Sequence, residues 1–174
     1  MSALTHPLWH NGDMKKSLFL LSMLCALCSP TGTHSQFRKP EPASRRIQSI
    51  TLDRTPCFGS CPVYKVTLKP DGTLTYVGTR FVSKIGTYSA KFWGAELQDL
   101  LAPLLDKLNV WTMKSRYSAG ATDMPSQIVT IVTDKGTKVI DEYGPSGPKE
   151  LWAVQQIIDS LVAEATDWKK LKSK

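Results

Sequence analysis

Cys57 and Cys61 stand four residues apart, each with a proline on its outer side, in the stretch R-T-P-C-F-G-S-C-P-V-Y from Arg54 to Tyr64. Two thiols at that spacing suit a structural disulfide, a redox dithiol or soft-metal clamp, or two inert sulfhydryls. A disulfide needs its Cα atoms within about 7 Å, whereas four residues of extended strand would hold them roughly 13 Å apart. The segment must therefore turn, and Gly59 between the two prolines allows it. So short a loop stabilises by only about 2 kcal/mol through chain entropy. Its larger effect would be to shape the approach to the following strand. Redox use requires a lowered thiol pKa, usually from a helix N-terminus or a nearby cation, and Arg54 is near in sequence.

The compartment bears on which reading holds. Lys15 and Lys16 precede an apolar run of 11 residues, 18–28, and small polar residues follow to Thr33-His34-Ser35. This is the layout of a secretory signal, assigned to residues 14–35 with cleavage after Ser35. The run falls short of the about 20 residues that span a bilayer, so no transmembrane span is expected in the mature chain. Met14 stands where such a signal begins, and residues 1–13 read as a non-native extension. Leucine precedes both Cys25 and Cys28, where a lipid-attachment signal wants a small residue. An exported product, periplasmic or secreted, is expected in preference to a lipid-anchored one. Neighbouring thiols normally pair in oxidising surroundings, which favours the structural disulfide and leaves the other two readings open.

Export has a chemical consequence. The three histidines, His6, His10 and His34, all precede the cleavage site. The mature chain would carry no Ser-His-Asp or Cys-His pair and no histidine metal ligand. No pair of carboxylates stands out for glycosidase-like work. The balance leans away from an enzyme, and no cofactor is expected. Of 22 basic and 15 acidic residues, cleavage removes two lysines and one aspartate, leaving a net charge of +6. The excess is dispersed except in residues 167–174, read as a basic, solvated tail. A positive exported protein can meet an anionic envelope polymer or lipid. Nothing in the pattern of basic and aromatic residues indicates nucleic acid.

The elements that must position these residues follow from periodicity. Residues 36–46, rich in proline and basic residues, read as a disordered leader. Residues 47–166 then form a single domain. Ile50 and Leu52 mark a first strand; Tyr64, Val66 and Leu68 a second; Leu74 and Tyr76 a third, joined to the second by Pro70-Asp71-Gly72. A fourth strand is expected near residues 83–90. Leu97, Leu100, Leu101, Leu104, Leu105 and Leu108 then recur at helical spacing, with Pro103 set to kink or divide the helix. Residues 127–133 are nearly continuous and β-branched, as in a central strand buried on both faces. Asp134-Lys135-Gly136 turns the chain into a partner strand, residues 137–143. Pro148 and Glu150 suit the first turn of a last helix, whose buried stripe is Leu151, Val154, Ile158, Leu161 and Ala165. The expected fold is α+β: an antiparallel sheet of about six strands, ordered β-β-β-β-α-β-β-α, with both helices on one face.

The segment Pro56-Cys57-Phe58-Gly59-Ser60-Cys61-Pro62-Val63-Tyr64 resembles the hallmark of a bacterial family known only as a domain of unknown function, whose members are largely exported or membrane-attached. Residues 50–55, the Asp71-Gly72 hairpin, Thr122-Asp123-Met124-Pro125, the Lys135-Gly136 turn and the final helix match it as well. The similarity covers roughly residues 47–162. It implies a small α+β domain with no assigned activity and brings no catalytic residues to carry over.

C-x3-C-P also resembles, superficially, the copper site of thioredoxin-fold chaperones, and soft thiolates suit copper(I). Those sites add a histidine, and their cysteines lead into a helix, whereas a strand follows here. Two functions therefore stand as expectations. One is a non-enzymatic exported domain that binds a protein, a peptide or a cell-envelope component. The other is a thiol-based redox or copper(I)-handling protein acting through Cys57 and Cys61. Inhibition of a secreted enzyme, with the cysteine turn as a wedge, is a variant of the first. The longest irregular stretch, residues 112–126, carries Arg116, Tyr117 and Asp123. With Tyr143 and the residues to Gly147, it forms the candidate binding surface. A local turn bond is the structural alternative for Asp123.

Overall fold

Inward apolar residues at every second position build the strands that carry the core. In a computed structural model of the chain, residues 45–92 and 97–172 are described. The extension 1–13, the signal 14–35 and the leader up to residue 44 lie outside them, as do Trp93 and the side chains of Leu97 and Leu100. The strands are β1 (Ile47–Arg54), β2 (Val63–Leu68), β3 (Thr73–Arg80), β4 (Gly86–Lys91), β5 (Arg116–Ser118), β6 (Ser126–Thr133), β7 (Gly136–Tyr143) and β8 (Thr166–Lys170). A π-helical turn, Leu97–Leu101, leads into α1 (Ala102–Lys107), and α2 (Lys149–Glu164) follows β7. Pro103 lies in the first turn of α1, immediately after the π-helical turn, so the leucine run passes from π- to α-helical hydrogen bonding beside it.

All eight strands belong to one open sheet, ordered β5-β7-β6-β1-β2-β3-β4-β8. The expected count of six falls short by the two edge strands. β5 pairs with β7 in parallel, so the sheet is mixed rather than wholly antiparallel. The second edge corrects the reading of a solvated tail. β8 pairs antiparallel with β4, Tyr88 opposite Lys170, and Trp168 packs edge-on against Tyr76 and Tyr88 at 5.9 and 6.4 Å. One indole on the core face outweighs the exposed lysines around it. At the other end of the domain, Gln98 accepts from the Ile47 N–H and donates to the Arg45 carbonyl. Arg46 and Asp134 exchange two further bonds. The expected leader is therefore already held at residues 45–46.

The register lays the core out in rows. Ile50 faces Leu68 and Ile131, and Leu68 faces Leu74, which faces Ala90. Two residues along, Leu52 faces Val66 and Val129, and Val66 faces Tyr76. Leu101, Leu104 and Leu105 meet Val154, Ile157 and Ile158 around Ile50, so both helices lie over β1 on this face. The opposite face bears Thr51, Thr67, Thr130 and Val132, all half-buried, and no described element covers it. That corrects the reading of residues 127–133. Only Val129, Ile131 and Thr133 are buried, and the alternate residues look outward.

Gly78 sets the shape of the β3–β4 turn. A Cβ there would lie within 3 Å of the Lys84 carbonyl, Tyr76 and Val82, because the turn folds back over the strand. Gly78→Ala should force that turn away and cost roughly 1–3 kcal/mol. Urea denaturation would measure it, with faster amide exchange at residues 81–85 as the local sign.

Candidate functional site

The inward-facing phase continues past the apolar rows and ends in polar residues. One step beyond Leu52 on β1 is Arg54, which faces Tyr64 on β2 and Gln127 on β6. Gln127 in turn faces Glu142 on β7. Antiparallel pairing thus brings four polar side chains from four strands into one row at one end of the sheet. From α2, Asp159 reaches down one residue after the buried Ile158. Arg54 Nε donates to the Tyr64 hydroxyl at 2.8 Å, and Nη1 donates to Gln127. Nη2 donates to Asp159 at 2.5 Å, and the Tyr64 hydroxyl donates to the other carboxylate oxygen at 2.5 Å. The Arg54 and Asp159 side chains are 18% and 28% exposed, so the pair is substantially desolvated and strengthened by low local dielectric.

Burial alone would lower the Arg54 pKa, but Tyr64 and Asp159 together hold it above its ordinary value. Burial, and then the bond donated to Asp159, push the Tyr64 phenol well above the ordinary tyrosine range against the pull of Arg54. Tyr64 therefore stays protonated as a donor through the physiological range. Beside this group, Glu142 is buried and accepts from the N–H groups of Ser146 and Gly147 and from the Gln155 amide. It pins the turn that leads into α2.

A cleft of about 310 Å³ opens beside Arg54, lined by Cys61, Pro62, Tyr64, Pro125, Gln127 and Asp159. Its rim is the cysteine loop. Cys57 and Cys61 hold their sulfurs at disulfide distance with Cα atoms 5.8 Å apart. The turn that the spacing demanded is made at Gly59, whose φ of +151° an L side chain rarely adopts. Thr55 exchanges two bonds with Ser126, the Phe58 N–H donates to the Asp123 carbonyl, and the Gly59 N–H donates to the Cys57 carbonyl. Phe58 at the tip is 90% exposed.

The residues singled out from sequence fall into two places. Asp123 and Tyr143 belong to this end. Asp123, with φ +64°, supplies the carbonyl that holds the cysteine loop, and the Tyr143 hydroxyl accepts from the Met124 N–H. Arg116 and Tyr117 lie on the edge strand β5; Arg116 is exposed, and Tyr117 packs against the core with its hydroxyl accepting from Lys114. Residues 112–126 are thus less irregular than expected, since three of them form β5. Sequence reasoning passed over Tyr64, Gln127 and Asp159 as site residues and weighed Arg54 only as a neighbour of the thiols. For Arg54, Tyr64 and Gln127 the signal was a polar side chain at an inward position of a strand; Asp159, on α2, has no such signal. Among the described residues, no group of three or more His, Cys, Asp or Glu side chains is placed to hold a metal ion.

A family model described as a domain of unknown function, DUF6438, matches residues 48–162. The chain belongs to the DUF6438 family. No curated protein and no solved structure matches it. The matched span of the DUF6438 domain contains Arg54, Tyr64, Gln127 and Asp159 together with both cysteines. β8 lies beyond the match.

The Tyr64 phenol carries a pH prediction. The unfolded chain releases this proton near the ordinary tyrosine value of about 10, while the folded chain retains it. The associated stability is therefore fully present below that pH and is lost as pH rises through and beyond it. Tyr64→Phe should flatten the alkaline decline in urea-unfolding free energy between about pH 9 and 11. An unchanged slope would place the proton elsewhere.

Proposed function

We propose that the protein is an exported, non-enzymatic binding domain that presents the loop of residues 57–61 to a protein or peptide partner. The observation that carries this reading is Phe58, an aromatic side chain 90% exposed at the tip of a loop tied on both sides. Exposed aromatics are costly to keep in water, and they serve as anchors where one inserts into a partner's pocket. Fixing the loop in advance removes the ordering cost that a floppy anchor would incur on binding. The Arg54 cleft beside it offers hydrogen-bonding edges to the partner's chain. Asp123 and Tyr143 support this surface by holding the loop and residue 124, and Arg116 extends it along β5. In the oxidising surroundings that export would bring, the loop stays closed.

A photo-crosslinking residue substituted at position 58 should yield a discrete adduct from the cell envelope. Phe58→Ser should weaken the captured complex at least thirtyfold, the equivalent of about 2 kcal/mol for a binding hot spot. Cys57→Ser/Cys61→Ser should weaken it less, by loosening the loop. Equal adducts from a probe at position 58 and one at an exposed control position would sink the assignment.

A second reading, thiol exchange, is favoured by the placement of Cys61 on the wall of the cleft that holds the Arg54 guanidinium. A structural bond should have a reduction potential below about −300 mV. Equilibration with glutathione buffers separates the two, because a bond that opens at the poise of the cell envelope would favour exchange.

A further inference from the structure

The register places the β3–β4 turn and the end of β8 at the same end of the sheet as the cysteine loop, farther along its edge. Val63 faces Arg80, Gly78 faces Gly86, and Tyr88 faces Lys170. Three large apolar side chains stand in water there: Phe81 at 53%, Ile85 at 50% and Leu171 at 43% exposure. Phe81 holds a φ of +54°, a conformation unfavourable for a bulky side chain, and the turn that carries it folds over Gly78. Cations surround them. Arg80 lies over the Phe81 ring, Lys84 over Trp168 at 4.7 Å, and Lys170 over Tyr88 at 5.8 Å. Lys169 and Lys172 are exposed on the same strand end. Residues 78–91 contain no acidic side chain, and between 166 and 172 only Asp167 is acidic. The two segments are joined: the Leu171 N–H donates to the Thr87 carbonyl at 2.8 Å, and Gly86, Thr87, Lys170, Leu171 and Lys172 line one open hollow.

We propose that this rim docks the domain on an anionic lipid bilayer. Apolar side chains interspersed with cations on one exposed surface suit the boundary between acyl chains and headgroups. There, apolar groups leave water while ammonium and guanidinium groups meet lipid phosphates. A soluble polyanion would use the cations and leave Phe81, Ile85 and Leu171 in water. The aromatic rings behind the cations, Tyr88 and Trp168, belong to the residue types that favour this interface. The inference does not depend on Phe58 or on the state of the cysteines, and it gives the β8 strand a role apart from closing the sheet edge.

The test is segment-resolved hydrogen exchange of the full chain with vesicles of phosphatidylcholine alone or mixed with phosphatidylglycerol. Reading exchange by segment keeps any lipid contact of the apolar run at residues 18–28 apart from the rim. Exchange should slow at residues 79–87 and 168–172 with the anionic vesicles only, and the effect should fade as salt is raised. In Lys84→Gln/Lys170→Gln/Lys172→Gln, the lipid concentration giving half-protection should rise about a hundredfold, from roughly fivefold per cation. Phe81→Ser/Ile85→Ser, which changes only exposed side chains, should raise it as well. Unaltered exchange at both segments, or equal slowing on neutral vesicles, would overturn the proposal. Protection unaffected by Phe81→Ser/Ile85→Ser would overturn the bilayer in favour of a soluble polyanion.

Discussion

A guanidinium at the end of the central strand joins the sheet to the last helix. Arg54 takes partners from β2, β6 and α2 at once. No other described side chain links that many elements by hydrogen bonds. Because Arg54 and Asp159 are both largely removed from water, losing either would leave the other's charge poorly compensated. That asymmetry makes the contact a constraint on geometry more than a source of net stability. It requires β1 to lie between β2 and β6 in one register, since a shift by a single residue would turn Arg54 to the open face.

The cysteine loop follows from the same constraint. Thr55 extends the β1–β6 ladder by one residue beyond Arg54. The chain must then reverse within a few residues to reach Val63, beside which Tyr64 faces Arg54. The sulfur pair, the turn at Gly59 and the Asp123 carbonyl make that reversal rigid. Phe58 is left facing water as a consequence. Along the same end, the close approach of the β3–β4 turn to Gly78 brings Lys84 over Trp168. Two different exposed surfaces, one built around an aromatic loop tip, one cationic and apolar, are thus positioned by one sheet.

Much of the core was legible in the chain. Alternation placed Ile50, Leu52, Val66, Leu68 and Leu74 inside, and the two hairpins were evident from their turn residues. The edges were not. β5 is three residues long and pairs in parallel, too short for any periodic signal. β8 reads as a lysine-rich tail, and it is held to the sheet by pairing with β4 and by the packing of Trp168 against Tyr76 and Tyr88, neither of which its own residues announce. The candidate site was visible as a phase but not as a group. Arg54, Tyr64 and Gln127 each continue an inward alternation, and no rule of local sequence says that they meet.

The sequence by itself determined the hairpins and helices of the domain interior, the need for a turn between Cys57 and Cys61, and which side of β1, β2 and β3 faces the core. Those properties depend on neighbours within a few residues, where side-chain period and turn chemistry act. Only the tertiary structure decided strand order, the partners of Arg54, the addition of β8 and the gathering of Phe81, Ile85 and Leu171 on one rim. Each of these joins residues far apart in the chain, and such contacts are selected by the packing of the whole sheet rather than by any segment's own preference.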